Sequence, residues 1–150
     1  MPIRVQTEDF DLGAEIAQLR SSDLRIGGVA SFLGTVRDMN EGTGVSEMLL
    51  EHYPGMTEKA LEDIVARAKA RWDILDALVI HRVGMLKPSD QIVLVAVASS
   101  HRGEAFAACE FIVDYLKTEA PFWKKESTPQ GTRWVEAREA DDRALEKWNK

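Results

Sequence analysis

The sequence has little cysteine and no long apolar stretch, and both shortages narrow the possible functions. Cys109 is the only cysteine among 150 residues, which excludes a disulfide framework and a cysteine-rich metal site. The three histidines are scattered and no HExxH motif occurs, so the sequence predicts no metal centre. No apolar run approaches the roughly 20 residues of a membrane-spanning helix, and the first residues show no signal-peptide pattern. We therefore expect a cytoplasmic protein without a membrane segment.

Positive charge is also in short supply. The chain has 19 Lys and Arg residues against 25 Asp and Glu, which gives a net charge of −6. This balance argues against a generally basic surface that binds nucleic acid, so no nucleic-acid partner is expected. No glycine-rich phosphate loop of Walker or Rossmann type is present either. Any cluster of basic side chains therefore stands out against an acidic background.

The length and composition are those of one globular domain. The chain is 45% hydrophobic and 29% charged, and a domain of this size buries about two-thirds of its unfolded surface without disulfides. No repeat, low-complexity tract or linker divides it, so we predict a single domain over residues 1–150. Predicted strands and helices do not alternate strictly, which favours an α+β fold over a doubly wound parallel sheet.

Hydrophobic periodicity gives the predicted elements. Strands are predicted at residues 3–6, 29–37, 48–53, 75–83, 92–98 and 133–138. Helices are predicted at residues 10–20, 57–72, 104–117 and 140–148, the first two capped by Thr7 and Thr57. We interpret strands 29–37 and 48–53 as one hairpin with a mobile loop at 38–45, and residues 84–90 as a turn.

The stretch 92–126 holds most of the candidate functional residues. Its predicted order is a buried strand, a polar turn, a helix and a rigid basic loop at 120–126. Its basic side chains are His101, Arg102, Lys117, Lys124 and Lys125, and Arg37 is a sixth candidate at the end of a glycine-containing strand. Any one of them taken alone is most often a solvated surface charge.

Three features favour a functional role for this basic set. His101 and Arg102 directly follow the predicted buried strand, a position where loops commonly carry function. Lys117 lies where an apolar helix ends, so its stem can be buried while its amine faces a cavity. Lys124 follows a proline and two aromatic residues that are costly to expose. Converging Arg and Lys side chains suit a phosphate, and clustering with partial burial lowers a lysine pKa and frees its amine as a base or nucleophile.

The other reactive side chains are interpreted as structural. Cys109 lies in the apolar stripe of the predicted helix 104–117, where a cysteine behaves as a small inert hydrophobe. His52 and His81 lie on predicted strands and are interpreted as packing residues.

A series of short motifs follows along residues 28–138, which is nearly the whole domain. The motifs are Phe32-Leu33-Gly34-Thr35-Val36-Arg37, Leu50-Glu51-His52-Tyr53-Pro54-Gly55-Met56, His81-Arg82-Val83-Gly84, Val95-Ala96-Val97-Ala98-Ser99-Ser100-His101-Arg102, Ala105-Phe106, Leu116-Lys117, Pro121-Phe122-Trp123-Lys124-Lys125-Glu126 and Trp134-Val135. Any one motif is weak, whereas the ordered set is specific. It resembles the large, catalytic subunit of molybdopterin synthase, the MoaE family.

The resemblance implies an α/β hammerhead fold with an additional antiparallel β-subdomain. It implies conversion of cyclic pyranopterin monophosphate, called precursor Z, into molybdopterin by installation of a dithiolene. The two sulfurs would come from the C-terminal Gly-Gly thiocarboxylate of a small ubiquitin-like subunit of MoaD type. The implied assembly is a heterotetramer built on a dimer of the large subunit, and no cofactor is implied beside the pterin substrate.

The resemblance also implies a set of site residues. The family's substrate-binding positions fall on Thr35, Val36, Arg37, His101, Arg102, Lys117, Lys124, Lys125 and Glu126. Lys117 and Lys124 match the catalytic lysines, with Lys117 interpreted as nearest the thiocarboxylate and Lys124 as proton donor or electrostatic stabiliser. Arg37, His101 and Arg102 would hold the phosphate. Which lysine acts as acid and which as base stays open.

Helix geometry adds a prediction about assembly. If residues 102–117 form one continuous helix, its ends lie roughly 22 Å apart at about 1.5 Å per residue. A pterin monophosphate is too short to touch both ends, yet the resemblance puts His101, Arg102 and Lys117 in one substrate site. We therefore predict a site shared across a two-fold dimer, with Arg37, Lys117 and Lys124 from one chain and His101 and Arg102 from the other.

Two other functions stay open from the residues alone. One is a binding module that docks a ubiquitin-like protein without chemistry, although such a surface has no need of the complete basic set. The other is an unrelated phosphosugar- or nucleotide-binding enzyme, which keeps a basic pocket but needs no protein partner. Co-purification with a small protein ending in Gly-Gly separates this last function from a synthase.

Overall fold

The computed structural model describes residues 3–40, 43–44, 46–129, 131–135 and 143–149. In this part of the chain the strands are β1 (Ile3–Gln6), β2 (Gly28–Thr35), β3 (Met39–Asn40), β4 (Thr43–Gly44), β5 (Glu47–His52), β6 (Asp76–Arg82), β7 (Gly84–Leu86), β8 (Gln91–Ser99), β9 (Phe122–Thr128) and β10 (Gly131–Val135). The helices are α1 (Leu12–Arg20), α2 (Met56–Arg71) and α3 (Arg102–Glu119), and a 3-10 turn lies at Leu145–Trp148. The last predicted strand and the last predicted helix fall partly outside the described residues.

The first sheet has the strand order β1-β6-β8-β2, with β1 parallel to β6 and the other pairs antiparallel. Its strand β8 is a continuous apolar run because helices cover both of its faces. On one face Val93, Val95 and Val97 pack with α2 and α3. On the other face Leu94 and Ala96 pack with α1.

The second sheet is antiparallel throughout, with the strand order β10-β9-β5-β7. A small core of Val36, Met48 and Leu86, with Ile92 of β8 packed against it, joins this sheet to the first. The predicted α+β class and the hammerhead arrangement with an added antiparallel β-subdomain are confirmed.

The predicted hairpin between residues 29–37 and 48–53 is wrong. β2 pairs with β8 in the first sheet, whereas β5 pairs with β7 and β9 in the second. The chain leaves the first sheet at Val36, which is buried. The Val36 N–H donates to the Asp90 carbonyl at 3.0 Å, and the Val36 carbonyl accepts from the Ser89 N–H at 2.8 Å. These bonds hold the strand end against the β7–β8 turn and direct the chain towards the second sheet.

Two predicted loops contain short strands. The segment predicted as a mobile loop at 38–45 holds the two-residue antiparallel ladder of β3 and β4. Glu41, Gly42 and Val45 lie outside the described residues, so the mobility of this loop stays a prediction. The turn predicted at 84–90 begins with β7, which pairs with β5.

Both predicted helix caps are wrong. Asp11, rather than Thr7, caps α1 by accepting a hydrogen bond from a first-turn N–H at 3.0 Å. Gly55 precedes α2 with a φ of 84°, a left-handed conformation that glycine adopts without strain. Thr57 is buried inside the first turn of α2, where its hydroxyl donates to the Pro121 carbonyl at 3.1 Å. That bond ties the start of α2 to the chain just before β9.

α3 is one continuous helix of 18 residues, as the shared-site prediction requires. None of the helices in the described ranges combines the length and the apolar character needed to cross a membrane. Where a helix was predicted at 140–148, Arg143 and Ala144 are α-helical and Leu145–Trp148 form the 3-10 turn, while residues 140–142 lie outside the described residues. Trp148 holds this turn on α3, since its Nε1–H donates to the Asp114 carboxylate at 2.7 Å.

Candidate active site

The connection from β8 to α3 presents His101 and Arg102 at the surface. Both side chains are exposed, and His101 immediately precedes the first turn of α3. The buried Ser99 hydroxyl fixes this connection, because it donates to the Asp73 carbonyl at 2.9 Å and accepts from the His101 N–H at 3.3 Å. Gly27 approaches so closely that a Cβ there would lie 2.2 Å from a carbonyl oxygen of the connection. Two basic side chains and the N–H groups of a helix start thus lie together, which suits a phosphate.

Lys117 lies at the opposite end of α3. The helix is unbroken from Arg102 to Glu119, so roughly 22 Å separates Arg102 from Lys117 at about 1.5 Å per residue. Lys117 is exposed, whereas Leu116 beside it is buried in the core. A single chain therefore does not bring His101 and Arg102 to Lys117.

The segment predicted as a rigid basic loop at 120–126 is strand β9 over most of its length, and this correction changes which side chains meet. β9 forms because it pairs with β5 on one side and β10 on the other. Side chains alternate between the two faces of a strand. Lys124 and Glu126 lie opposite buried residues of β5 and project from the inner face, where Glu126 is itself buried. Lys125 lies between them and projects from the outer face.

His81 marks the place where Lys117 and Lys124 approach each other. It is buried, and its ring stacks on Phe122 with the centroids 3.7 Å apart. Burial, together with the positive charges of Lys124, Lys117 and His52, lowers the pKa of His81 to about 3. Phe122, which stacks on His81, pairs with His52 across the sheet, and Lys124 follows two residues later on the same face. Lys117 precedes Phe122 by five residues in the last turn of α3, so the chain leads from one lysine to the other past this buried ring.

Thr35, Val36 and Arg37 lie at the same end of the first sheet as the two lysines. Thr35 pairs with Gln91 at the start of β8, and His81 pairs with β8 two residues further on. Thr35 and Arg37 are exposed, whereas Val36 is buried and has both backbone groups bonded within the chain. Thr35 and Arg37 are therefore the members of this trio with side chains accessible to a ligand.

The predicted site residues thus form two groups within one chain. One group comprises Thr35, Arg37, Lys117 and Lys124, and the other comprises His101 and Arg102. The groups lie at opposite ends of β8, which at about 3.3 Å per residue spans more than 25 Å. Of the remaining predicted residues, Val36 and Glu126 are buried and Lys125 projects from the outer face of β9.

A shallow groove of about 290 Å³ lies between β2 and α3 at the edge of the first sheet. It is lined by Ala30, Ser31, Phe32, Phe106, Cys109, Glu110 and Val113. Phe32 and Phe106 are 37% and 64% exposed. Within the described ranges no strand pairs with the outer edge of β2. An apolar strip along an open sheet edge is typical of a surface that another protein covers.

Cys109 is as inert as its sequence position predicts. It is buried, its Sγ lies 3.7 Å from the Val95 carbonyl oxygen, and burial raises the pKa of its thiol to about 11. A thiol with this pKa holds almost no nucleophilic thiolate near neutral pH. Among the described residues, no three His, Cys, Asp or Glu side chains are grouped so that they could hold a metal ion.

Replacing Cys109 with serine should leave sulfur transfer intact and lower the free energy of unfolding by about 1–3 kcal/mol, because a hydroxyl replaces a thiol in the core. Denaturant unfolding and a sulfur-transfer assay on the folded variant measure the two effects. A folded Cys109→Ser protein without any transfer activity would contradict the assignment of an inert thiol.

Sequence reasoning missed the residues that support the two lysines. His81 and Phe122 stack although they are far apart in the chain, and Thr57 bonds to the Pro121 carbonyl in the same way. Phe122 and Lys124 are two residues apart, the spacing of side chains on one face of a strand, and this spacing was the available signal. That signal was weak because Lys125 places a charge on the other face too.

Comparisons with known proteins show which family this chain is similar to. A family model described as MoaE protein matches residues 5–119. The molybdopterin synthase catalytic subunit of Ralstonia nicotianae is 75% identical over 146 residues, which cover 97% of this chain and 83% of that one. The protein of the same name from Haemophilus influenzae is 59% identical over 97% of both chains. The solved structure of the molybdopterin biosynthesis MoaE protein from Burkholderia ambifaria matches with a TM-score of 0.86 at 61% identity, covering 99% of this chain and 97% of that one.

Proposed function

This chain belongs to the MoaE family, and from that premise we propose that it is the catalytic subunit of a molybdopterin synthase. In the reaction, two sulfur atoms pass to cyclic pyranopterin monophosphate and form the dithiolene of molybdopterin. Each sulfur comes from the C-terminal thiocarboxylate of one small ubiquitin-like subunit ending in Gly-Gly, which is left as an ordinary carboxylate, so two thiocarboxylates are consumed for each dithiolene. No cofactor is needed, because the sulfur arrives already bound to this partner. We place the reaction in the cytoplasm, because a protein with one cysteine forms no internal disulfide and so has no need of an oxidising compartment.

The placement of Lys117 in the last turn of α3 and of Lys124 on the inner face of β9, before and after the Phe122 ring that stacks on His81, carries this proposal. The thiocarboxylate tail and the substrate phosphate are both anions, and two amines at one place attract anions, stabilise developing charge and move protons. Lys117 is exposed at a helix end, where an extended tail can reach it. We assign Lys117 to the thiocarboxylate and the reacting carbon, and Lys124 to proton donation or charge stabilisation as the pterin ring opens.

A surface that only docks a ubiquitin-like protein does not account for this arrangement. Docking needs no amine on an inner sheet face, yet Lys124 projects from the inner face of β9. Family membership likewise disfavours an unrelated phosphosugar or nucleotide enzyme.

A second copy of the chain supplies His101 and Arg102, the two phosphate-holding residues that a single chain keeps away from its lysines. A two-fold axis through the middle of the β2–α3 groove, at right angles to β2, sets the Gly28 end of one β2 beside the Thr35 end of the other. Gly28 pairs with Ser99, next to His101, and Thr35 pairs with Gln91 at the lysine end. The same axis covers the exposed rings of Phe32 and Phe106. The length of α3 and the apolar groove thus support the same two-fold dimer independently. One small subunit bound to each copy completes a heterotetramer.

The function is tested by mixing the purified chain with the thiocarboxylated partner and precursor Z. A dithiolene product is expected, and a partner ending in an ordinary carboxylate should give none. Stable binding of the partner without any product would indicate a docking module. If the chain does not bind the partner but binds a sugar phosphate or nucleotide tightly, it is an unrelated phosphosugar- or nucleotide-binding enzyme.

Replacing Phe106 with glutamate is expected to convert the dimer to monomers and to abolish product formation, because a carboxylate would be buried in the groove contact. Phe106 is 64% exposed in one chain, so the monomer should keep its melting temperature. Light scattering gives the oligomeric state. Leu24→Glu is the matched control, since Leu24 is 99% exposed and lies outside the groove. A Phe106→Glu variant that stays dimeric would place the contact elsewhere.

A further inference from the structure

His81 is a buried imidazole to which the proposed chemistry assigns no role. It is 5% exposed, and its ring lies nearly parallel to that of Phe122, with an angle of 17° between the planes. Its Nδ1 lies 2.9 Å from the Arg82 carbonyl oxygen. Because a carbonyl only accepts, Nδ1 carries the proton and donates it. The ring is thus held on one side by a hydrogen bond and on its face by Phe122.

Phe122 lies between the two lysines in the chain. It comes five residues after Lys117 and two residues before Lys124, on the same face of β9 as Lys124. Its register partner across the sheet is His52. Phe122 is thus the residue at which the chain passes from the turn after α3 into the strand that carries Lys124.

The chain just before Phe122 is held from a second side. The Thr57 hydroxyl donates to the Pro121 carbonyl at 3.1 Å, and the Phe122 N–H donates to the Ala120 carbonyl at 2.9 Å. These bonds fix the backbone of the turn, and pairing with β5 fixes the direction of β9. His81 fixes the Phe122 ring at the first residue of that strand, since the two rings are stacked.

We infer that His81 is a positioning residue for sulfur transfer: its ring holds the Phe122 ring in place and thereby fixes the separation of the amino groups of Lys117 and Lys124. The inference rests on the proposed function. The ring stays uncharged because burial lowers its pKa, and Lys124 on β9, Lys117 on α3 and His52 on β5 act in the same direction. A cationic ring at this place would repel both lysines.

The experiment compares His81→Ala with His81→Phe in the complete complex with the thiocarboxylated partner and precursor Z. His81→Ala removes the flat surface under Phe122, so kcat per folded protein should fall about 10- to 100-fold, the effect of a displacement of about 1 Å in an active site. The KM for the partner should stay unchanged. His81→Phe keeps an uncharged flat ring, so kcat should return to within about threefold of wild type. If His81→Ala does not fold, His81→Leu replaces it, because leucine fills volume without offering a flat face.

Ile80→Ala is the matched control for lost stability. Ile80 neighbours His81 on β6 and is 0% exposed, but it faces the α1 side of the sheet, away from Phe122. This variant should melt at a lower temperature and keep the wild-type kcat per folded protein. Equal losses of kcat in Ile80→Ala and His81→Ala would reduce His81 to a general stability residue and overturn the inference. So would a wild-type kcat in His81→Ala, or a His81→Phe variant as slow as His81→Ala. A wild-type protein without sulfur transfer would instead defeat the proposed function itself.

Discussion

Replacing Lys117 with alanine is expected to lower the rate of product formation by about 10²- to 10⁴-fold, the usual contribution of one essential proton-transfer or charge-stabilising group. The fold should survive, because Lys117 is exposed in the last turn of α3 and alanine is a good helix former. Binding of the small subunit should also survive, since the proposed function places Lys117 at the end of its tail only. The measurements are single-turnover product formation, a thermal melt and a binding titration with the partner.

Lys69→Ala is the control for this substitution. Lys69 is an exposed lysine in the last turn of α2, so the change has the same chemical nature and the same helical position. It should leave the rate unchanged, because nothing places Lys69 near His81. A rate within a few-fold of wild type in Lys117→Ala would remove Lys117 from the mechanism. A comparable loss in Lys69→Ala would show that the assay responds to surface charge in general.

Elements with a strong local pattern were predictable from the sequence. The apolar run of β8 and the helical spacing of Phe106, Cys109 and Leu116 in α3 fix both elements without tertiary information. The continuity of α3 follows from the same pattern, because no proline or glycine interrupts residues 104–119. That continuity separates Arg102 from Lys117, and because the family resemblance puts both in one substrate site, the two together predict a site shared between chains.

Strand pairing was not predictable, and the errors share this cause. β2 and β5 follow each other with a glycine-containing loop between them, which locally favours a hairpin. The structure pairs β2 with β8 because the apolar face of β2 completes the core under α3, where Ala30 is buried. This pairing joins residues that are far apart in the chain, such as Ala30 and Val97. A short stretch of sequence around either residue therefore gives no indication of it.

The assignment of β9 as a loop had the same origin and affected the site most. Proline and adjacent aromatic and basic residues are typical of loops, but pairing with β5 and β10 makes this segment a strand. A loop would have allowed Lys124, Lys125 and Glu126 to share one pocket. A strand forbids it within one chain, because Lys125 alternates to the outer face while Lys124 stays on the inner face near His81.

Mixing two inactive variants, Lys117→Ala and Arg102→Ala, is expected to restore about one quarter of the wild-type activity once subunits exchange at equal concentration. Random exchange makes half of the dimers mixed. In each mixed dimer one site combines an intact Lys117 with an intact Arg102, while the other site lacks both. The expectation follows from the roughly 22 Å of unbroken helix between these residues, at about 1.5 Å per residue.

The matched control mixes Lys117→Ala with Lys124→Ala. Both lysines lie near His81 of their own chain, so every site in a mixed dimer still lacks one of them and no activity should return. Subunit exchange is followed separately, for example with differently labelled chains. Recovery in the first mixture without recovery in the second can arise only if the site takes Arg102 and Lys117 from different chains. No recovery in the first mixture despite complete exchange, or equal recovery in both mixtures, would contradict the shared site. The phosphate would then be bound by residues of one chain. Of these, Arg37 lies at the same end of the first sheet as the lysines.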